Sequence, residues 1–326
     1  MKPEELKRHM KGVQAATVTP FKDNDEIDFD GLKRNIQFLT KAVAGKDYLL
    51  TPLGSMGEFN ALNDEEHREV MRVVVREAGG KIPVIPGVSR AGTRPALEMA
   101  QFAEKVGADG VMVVLPYYAI PNEEGMYQHY RAIAEGVSIG VIIYNNAAVS
   151  GSWIKPPLMA RLSEIENIIA VKECTPHFSA FYQMHRTLDP AKITLLCGQG
   201  EQVYAYASAY APCKGFTSIM PNFAPCLCYQ LYEAGRDRDF DQVRGVADRL
   251  SLFLDFTNRL AVAHGPHTGM LPDPYGGGRM LVAAIKEAMN QMGLCGGKVR
   301  LPYVPLRDEE KVELREILVK MGLSVR

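Results

Sequence analysis

The chain has 326 residues, of which 47% are hydrophobic and 23% charged, a composition typical of a globular protein with a substantial core. Lysine and arginine number 37 and aspartate and glutamate 38, so the net charge of −1 argues against a nucleic-acid-binding surface and a polybasic membrane anchor. The six cysteines are sparse and lack paired CxxC spacing, which argues against a disulfide scaffold or a structural zinc site and favours a reducing cytoplasm. No apolar run approaches the roughly 20 residues of a membrane span, and no targeting segment is expected at the charged N-terminus.

Short apolar runs recur along the chain, as expected for strands that are buried on both faces of a parallel sheet. Successive runs begin 20 to 37 residues apart, which leaves room for one helix and two short loops in each interval. The eight runs predict strands at 13–18, 47–52, 84–88, 110–116, 140–145, 168–173, 194–198 and 214–219.

The intervals between these runs have helical patterns. Apolar residues repeat at helical spacing from Leu32 to Val43, and Asp28 precedes them as a candidate cap. Asn63 and Glu66 have the spacing of a capping box. Eight strands that alternate with helices predict a (β/α)8 TIM barrel. An open doubly wound sheet is the alternative, but no GxGxxG segment follows any of the strands.

The last third of the chain contains only helical patterns, at 223–234, 239–260, 278–292 and 308–321. One of these helices is expected to close the barrel, and the others to form a C-terminal helical extension. No linker or repeat separates the two parts. We therefore expect a barrel core at 1–222 and C-terminal helices at 223–326, packed as one continuous body.

The most informative residue is Lys172, which directly follows the apolar run of the sixth predicted strand. In a barrel of this type the active site lies at the carboxyl ends of the strands. Burial disfavours the charged ammonium, and a neutral amine attacks a carbonyl to form a Schiff base. The functional interpretation is a covalent nucleophile, and the alternative is a structural lysine paired with Glu173 or another acid.

Two tyrosines and a serine at neighbouring strand ends support the functional interpretation. Schiff-base chemistry moves protons onto and off the substrate oxygen, and the phenol of Tyr144 is the candidate carrier. Tyr118 and Ser55 extend a possible proton relay to it. Gly54 and Gly57 bracket a tight turn whose backbone N–H groups are candidates for binding a carboxylate.

The segments GSMGEF, PYY, YN and VKE at the ends of strands two, four, five and six resemble the dihydrodipicolinate synthase / N-acetylneuraminate lyase family. Thr17–Phe21 and Gly215–Asn222 fit the same pattern, and the resemblance extends from about Gly12 to Gly322. It implies that Lys172 forms the Schiff base with a 2-oxo acid, typically pyruvate, and that members are commonly homotetramers. It further implies Tyr144 as acid and base, Ser55 as the hydroxyl relay, Tyr118 as a tyrosine contributed across a dimer interface, and Gly54, Ser55, Met56, Gly57 and Thr217 as substrate contacts.

The sequence departs from the synthase pattern at two positions. Val149 occupies the place of an arginine that binds the carboxylate of the second substrate, and Met56 replaces the second hydroxyl of the usual GTTGE turn. Both changes make the outer pocket more apolar. Backbone N–H groups near Ala147 or Ala148, or a distant arginine such as Arg279, remain alternative carboxylate ligands.

We therefore expect a Schiff-base lyase that uses pyruvate or another 2-oxo acid together with an aldehyde or a sugar-acid-like substrate, without a metal or an organic cofactor. The alternatives are the 4-hydroxy-tetrahydrodipicolinate synthase itself and a dehydratase of deoxy-oxo sugar acids, since Phe59 fits the GxxGEF of such dehydratases. Two further classes stay open: a non-catalytic 2-oxo-acid-binding protein and a metal-dependent aldolase.

Overall fold

The computed structural model describes residues 1–175, 177–264 and 280–326. Seven parallel strands lie in the order β2-β1-β7-β6-β5-β4-β3, and every strand residue is buried. The (β/α)8 barrel predicted from the sequence is confirmed. The strands are β1 (Gly12–Ala16), β2 (Tyr48–Thr51), β3 (Gly110–Val114), β4 (Gly140–Asn145), β5 (Ile168–Glu173), β6 (Thr194–Cys197) and β7 (Gly215–Ser218).

The predicted strand at 84–88 closes the barrel between β2 and β3, although it forms only isolated bridges. The N–H of Ile85 donates to the carbonyl of Leu50 at 2.8 Å, and the N–H of Val88 donates to the carbonyl of Met112 at 3.0 Å. Pro86, between these two residues, has no N–H to donate. The segment therefore occupies the place of an eighth strand with an interrupted ladder.

Helices surround the barrel, and their ends follow the predicted caps. The Asp28 side chain accepts the N–H of Gly31, and Asn63 and Glu66 form the expected capping box. The helices are α1 (Pro3–His9), α2 (Phe29–Ala42), α3 (Asp64–Ala78), α4 (Thr93–Lys105), α5 (Glu123–Glu135), α6 (Ala147–Ser150), α7 (Pro156–Leu162), α8 (Phe178–Thr187), α9 (Glu201–Tyr210), α10 (Pro225–Asp237), α11 (Phe240–Ala263), α12 (Leu281–Gln291) and α13 (Asp308–Lys320), with 3₁₀ turns at Ser55–Gly57, Phe59–Ala61 and Met220–Asn222.

Helix α1, which the sequence patterns did not predict, plugs the amino end of the barrel. Leu6 and Met10 are fully buried in the same interior cluster as Ile142 and Ile169. The space for Leu6 depends on Gly110, since a Cβ at that glycine would lie 2.5 Å from the Leu6 Cδ2. With this end filled, the opposite end, where the strands finish, is the open mouth.

The C-terminal helices complete the ring and return to the first barrel units. Helix α10 follows β7 and packs against β1 and β7, as expected of the helix that closes the barrel. Beyond α12, the N–H of Lys298 donates to the carbonyl of Phe21 at 3.2 Å, so the C-terminal part contacts the chain just after β1. The division at 222/223 stays a prediction. The predicted helix at 278–292 is observed from Leu281, and its first residues lie outside the described ranges.

Candidate active site at the barrel mouth

Lys172 and Tyr144 lie side by side at the carboxyl ends of β5 and β4. The two residues are paired in the sheet register, and both side chains are almost buried, with 6% and 7% exposed. Because side chains alternate along a strand, both point into the barrel, where Tyr144 joins the interior cluster with Ile142. The Lys172 Nζ lies 4.0 Å from the centre of the Tyr144 ring.

The Lys172 amine has an aromatic face but no counter-ion beside it. Within the described ranges, it forms no ion pair and no hydrogen bond with another protein group. Its neighbour Glu173 points to the opposite side of β5, where its carboxylate accepts from the Asn145 amide at 2.7 Å and from the N–H of Thr175 at 2.9 Å. The structural alternative, a lysine paired with Glu173, is therefore wrong.

Glu173 is fully buried behind the two catalytic candidates. Burial raises the pKa of its carboxyl to about 7, although the Asn145 hydrogen bond acts in the opposite direction. Asn145 also donates to the carbonyl of Ile154 at 2.9 Å and accepts the N–H of the same residue at 3.0 Å. These contacts join the ends of β4 and β5, which carry Tyr144 and Lys172.

The three hydroxyls of the expected proton relay are not connected within one chain. The Tyr144 hydroxyl accepts from the Asn146 side-chain amide at 2.7 Å. The Ser55 hydroxyl is buried and has no hydrogen-bond partner among the described residues. Tyr118 is 91% exposed at the rim. A single chain therefore places Tyr144 and Ser55 at the mouth and leaves Tyr118 facing outward.

The turn after β2 presents backbone N–H groups at the mouth. Residues Ser55–Gly57 form one 3₁₀ turn after Gly54, so the N–H groups of Ser55 and Met56 have no partner within the turn. The Thr19 hydroxyl donates to the carbonyl of Gly57 at 2.8 Å and fixes the end of the turn. Met56 packs against the core.

Two threonines accompany this turn. Thr17 follows β1, and its buried hydroxyl has no hydrogen-bond partner in residues 1–175, 177–264 and 280–326. Thr217, on β7, donates to the Gln14 side-chain oxygen at 2.5 Å, and Gln14 donates to the Thr51 hydroxyl at 2.9 Å. The Thr217 hydroxyl thus ties three neighbouring strands together, and its predicted contact with substrate stays a prediction.

Val149 borders the same interior space from the loop after β4. It lies on α6 and packs against the interior cluster that includes Tyr144. The Asn146 side chain caps this short helix by accepting the N–H of Ala148 at 3.0 Å. An apolar side chain therefore stands where the family resemblance implies an arginine. Arg279, the distant alternative, lies outside the described residues.

Sequence reasoning missed a second buried lysine. Lys286, on α12, is 1% exposed and forms an ion pair with Glu58, the residue after the Gly54–Gly57 turn. The available signal was its position in an apolar helical stripe, between Val282 and Met289. Asn146, the partner of the Tyr144 hydroxyl, was also missed.

Metal and membrane features are absent from the parts of the chain that the structure describes. No group of three or more histidine, cysteine or acidic side chains is arranged to hold a metal ion there. No helix in the same ranges has both the length and the apolar content for crossing a bilayer.

Comparison with known proteins agrees with this geometry. Residues 9–263 match the model of the dihydrodipicolinate synthetase family. The 4-hydroxy-tetrahydrodipicolinate synthase of Archaeoglobus fulgidus is 35% identical over 318 residues, which cover 96% of this chain and 99% of that protein. The dihydrodipicolinate synthase of Aquifex aeolicus superposes with a TM-score of 0.82 at 30% identity, over 97% of this chain and 100% of that one. A chloride-inhibited dihydrodipicolinate synthase of Acinetobacter baumannii, complexed with pyruvate, superposes with a TM-score of 0.83 at 27% identity. The match covers 97% of this chain and 100% of that one.

A parallel barrel with a buried lysine at its mouth, matched along its length by such enzymes, defines the class: a β/α-barrel lyase. The chain belongs to the dihydrodipicolinate synthetase family. It is an enzyme whose chemistry proceeds through a Schiff base between a lysine and pyruvate or another 2-oxo acid.

Proposed function

We propose that Lys172 is the Schiff-base lysine and that the enzyme joins pyruvate to an aldehyde, or cleaves the corresponding product. One observation carries the proposal: the Lys172 amine is nearly buried at the mouth, against the Tyr144 ring, without a carboxylate partner in the described ranges. An amine at the mouth that is not engaged by a carboxylate is placed to attack the ketone of a 2-oxo acid.

The reaction begins when the Lys172 amine adds to the ketone carbon of the 2-oxo acid. Protonation of the oxygen and loss of one water then give an iminium. The iminium withdraws electrons from the adjacent carbon, which loses a proton to form an enamine. The enamine carbon attacks the aldehyde, whose oxygen takes up a proton as the iminium is restored. Addition of one water to this iminium then releases the product and the Lys172 amine. Tyr144 is the group within the site that is suited to carry these protons, since its phenol both donates and accepts.

The carboxylate of the 2-oxo acid is assigned to the turn after β2. The Ser55 and Met56 N–H groups are unpaired within the turn, and the buried Ser55 hydroxyl is a further donor. Gly54 and Gly57 bracket these groups. Thr217, on β7 next to β1, is assigned as a further contact.

Borohydride trapping tests the assignment of Lys172. Sodium borohydride with pyruvate is expected to add a reduced three-carbon adduct to Lys172, detected by intact and peptide mass. An adduct on another lysine contradicts the assignment. The absence of any adduct favours the non-catalytic 2-oxo-acid-binding alternative, and activity that is lost with a chelator favours a metal-dependent aldolase.

The second candidate is the 4-hydroxy-tetrahydrodipicolinate synthase itself, which the names of relatives up to 35% identical favour. Val149 opposes it, because an apolar side chain offers no charge to the carboxylate of aspartate semialdehyde. A charge-assisted hydrogen bond contributes roughly 1.5–3 kcal/mol, or about 10- to 150-fold in kcat/KM if it is made in the transition state.

We therefore expect aspartate semialdehyde to be a poorer partner of pyruvate than uncharged aldehydes at equal concentration. A coupled assay compares the aldehydes, and Val149→Arg should improve the use of aspartate semialdehyde, with Val149→Leu as the uncharged control. If aspartate semialdehyde is the best acceptor by tenfold or more, the synthase becomes the favoured function. Deoxy-oxo sugar acids in the same panel test the dehydratase alternative. Phe59, the residue that fits the dehydratase pattern, packs edge-on against Tyr117, with their ring centres 6.2 Å apart.

The proposed assembly is a homotetramer of the kind common in this family. The 91% exposure of Tyr118 supports a second chain at this rim, because the family resemblance implies a tyrosine that enters the partner's site. Sedimentation of the protein across a concentration series tests this. The six cysteines are free, which supports a reducing compartment such as the cytoplasm.

A further inference from the structure

The buried pair of Lys286 and Glu58 lies directly behind the carboxylate-binding turn. The Lys286 Nζ forms an ion pair with a Glu58 carboxylate oxygen and donates to the carbonyl of Lys298 at 2.7 Å. Burial lowers the pKa of the Lys286 ammonium to about 8, although Glu58 favours its charged form. A buried charge of this kind is tolerated only when its partners are well placed.

Glu58 ends the turn in a backbone conformation that needs support. Its φ of 52° and ψ of 38° lie in the left-handed region, which a residue with a side chain adopts at a cost. The N–H of Glu58 donates to the carbonyl of Ser55 at 3.2 Å. Its second carboxylate oxygen accepts the N–H of Arg300 at 3.0 Å. Both oxygens are thus engaged by residues of the C-terminal part.

Lys286 and Arg300 also contact the segment after β1 that holds the carbonyl of Gly57. The ring of Phe21 contacts two cations, with Lys286 Nζ and Arg300 Cζ each 4.2 Å from its centre. Thr19, two residues before Phe21, donates to the carbonyl of Gly57. Gly57 and Glu58 are therefore fixed from two sides by one connected group of contacts.

We propose that Lys286 and Glu58 are positioning residues that hold the Gly54–Gly57 turn in the shape that binds the carboxylate of the 2-oxo acid. This inference rests on the function proposed above. Both side chains are fully buried behind the turn, with 1% and 0% exposed, so they act on the substrate only through the backbone N–H groups of Ser55 and Met56. The C-terminal helices thereby become part of the binding site.

Three variants separate positioning from simple stability. Glu58→Gln removes one charge with little change of shape but leaves the buried Lys286 ammonium without its ion-pair partner. Lys286→Met removes the other and leaves a buried carboxyl without its ion-pair partner, which is expected to destabilise the fold. The double variant Glu58→Gln/Lys286→Met removes both charges and leaves no unpaired one, so it provides a folded test when Lys286→Met alone does not fold. Lys192→Met/Glu164→Gln applies the same exchange to an exposed ion pair as the matched control.

The pyruvate concentration that gives half-maximal borohydride trapping should rise on the order of tenfold in Glu58→Gln and in the double variant, because misplaced donors bind the carboxylate poorly. The maximal rate should change less than about threefold, since Lys172 lies on a different strand. Hydrogen exchange of peptides covering residues 54–60 should be faster than in the unaltered enzyme, with the remaining barrel peptides unchanged. The surface control should alter none of these.

An unchanged half-saturation concentration with a reduced fraction of active protein would show that the pair only stabilises the fold, and would overturn the inference. Unchanged exchange at residues 54–60 would overturn it as well. The exchange measurement needs no adduct, so the positioning role is tested even if the unaltered enzyme is not trapped. In that event it is the assignment of Lys172 that fails.

Discussion

Two lysines are buried in the described part of the chain, and their surroundings are opposite. Lys286 forms an ion pair with the Glu58 carboxylate and donates to the Lys298 carbonyl. Among the described residues, the Lys172 amine lies against the Tyr144 ring without a carboxylate partner, and Glu173, the next residue, points to the other side of the strand. Burial alone therefore does not identify a nucleophile.

The difference arises from the elements that carry the two side chains. Lys172 ends a strand, and side-chain alternation directs it into the open mouth while the next residue points outward. Lys286 lies on the apolar face of a helix that packs over the back of the turn. Lys172 therefore faces the mouth without a carboxylate partner in the described ranges, whereas Lys286 is enclosed together with Glu58.

The sharpest test of this comparison is the removal of each amine in turn. Lys172→Ala should abolish the pyruvate adduct and lower turnover by on the order of 10³-fold or more, because the covalent route is lost. The Glu58→Gln/Lys286→Met double variant should keep the adduct on Lys172. Peptide mass and steady-state assays check both, and an adduct found on Lys286, or a fully active Lys172→Ala enzyme, would reverse the two roles.

Removal of the Tyr144 hydroxyl tests whether the aromatic neighbour of Lys172 also moves protons. Tyr144→Phe keeps the ring against the amine, so the melting temperature should change little, while turnover should fall about 10²–10⁴-fold. Tyr206→Phe, at a 64% exposed position on α9, is the control. If Tyr144→Phe retains more than about a third of the activity, no proton transfer of consequence depends on this hydroxyl.

A smaller effect is expected from Glu173, on the pH dependence of folding stability. The sign of this dependence tests whether the Glu173 carboxyl is paired with a cation such as Lys172. Its pKa of about 7 lies above the usual 4.5, so between these values the unfolded chain has released a proton that the folded chain keeps. Folding stability should therefore fall as the pH rises from about 4.5 to 7, by up to about 3 kcal/mol, and change little from this group outside that window.

Urea unfolding across this pH range checks the prediction on the unaltered enzyme and on Glu173→Gln, which should lose this part of the pH dependence. Glu164→Gln, at an exposed ion pair, is the control. If the contribution of Glu173 instead grows as the pH rises, its carboxylate is paired in the folded state, and Lys172 has a counter-ion after all.

Much of this architecture was predictable because it depends on local pattern. Apolar runs at regular intervals predicted every strand, and the Asn63–Glu66 spacing predicted a cap that the structure contains. The segment at 84–88 was also predicted, although Pro86 interrupts its ladder and leaves only isolated bridges. Helix α1 was not predicted, because a helix of seven residues with few apolar side chains shows too little hydrophobic periodicity.

The site was only partly predictable. Strand ends meet at one rim in any parallel barrel, which is why Lys172, Tyr144 and Ser55 could be grouped from their positions alone. Hydrogen-bond partners do not follow from such positions. The Tyr144 hydroxyl bonds to Asn146 rather than to Ser55, and Thr217 bonds to Gln14.

The sequence by itself determined the barrel, the position of Lys172 at a strand end and the family, because these depend on periodicity and on short local motifs. Only the tertiary structure decided which lysine has a counter-ion. Glu58 and Lys286 are 228 positions apart, and no local sequence pattern predicts that they form an ion pair. The partners of a buried amine are neighbours in space, and these neighbours distinguish the lysine proposed as the nucleophile from the one held in an ion pair.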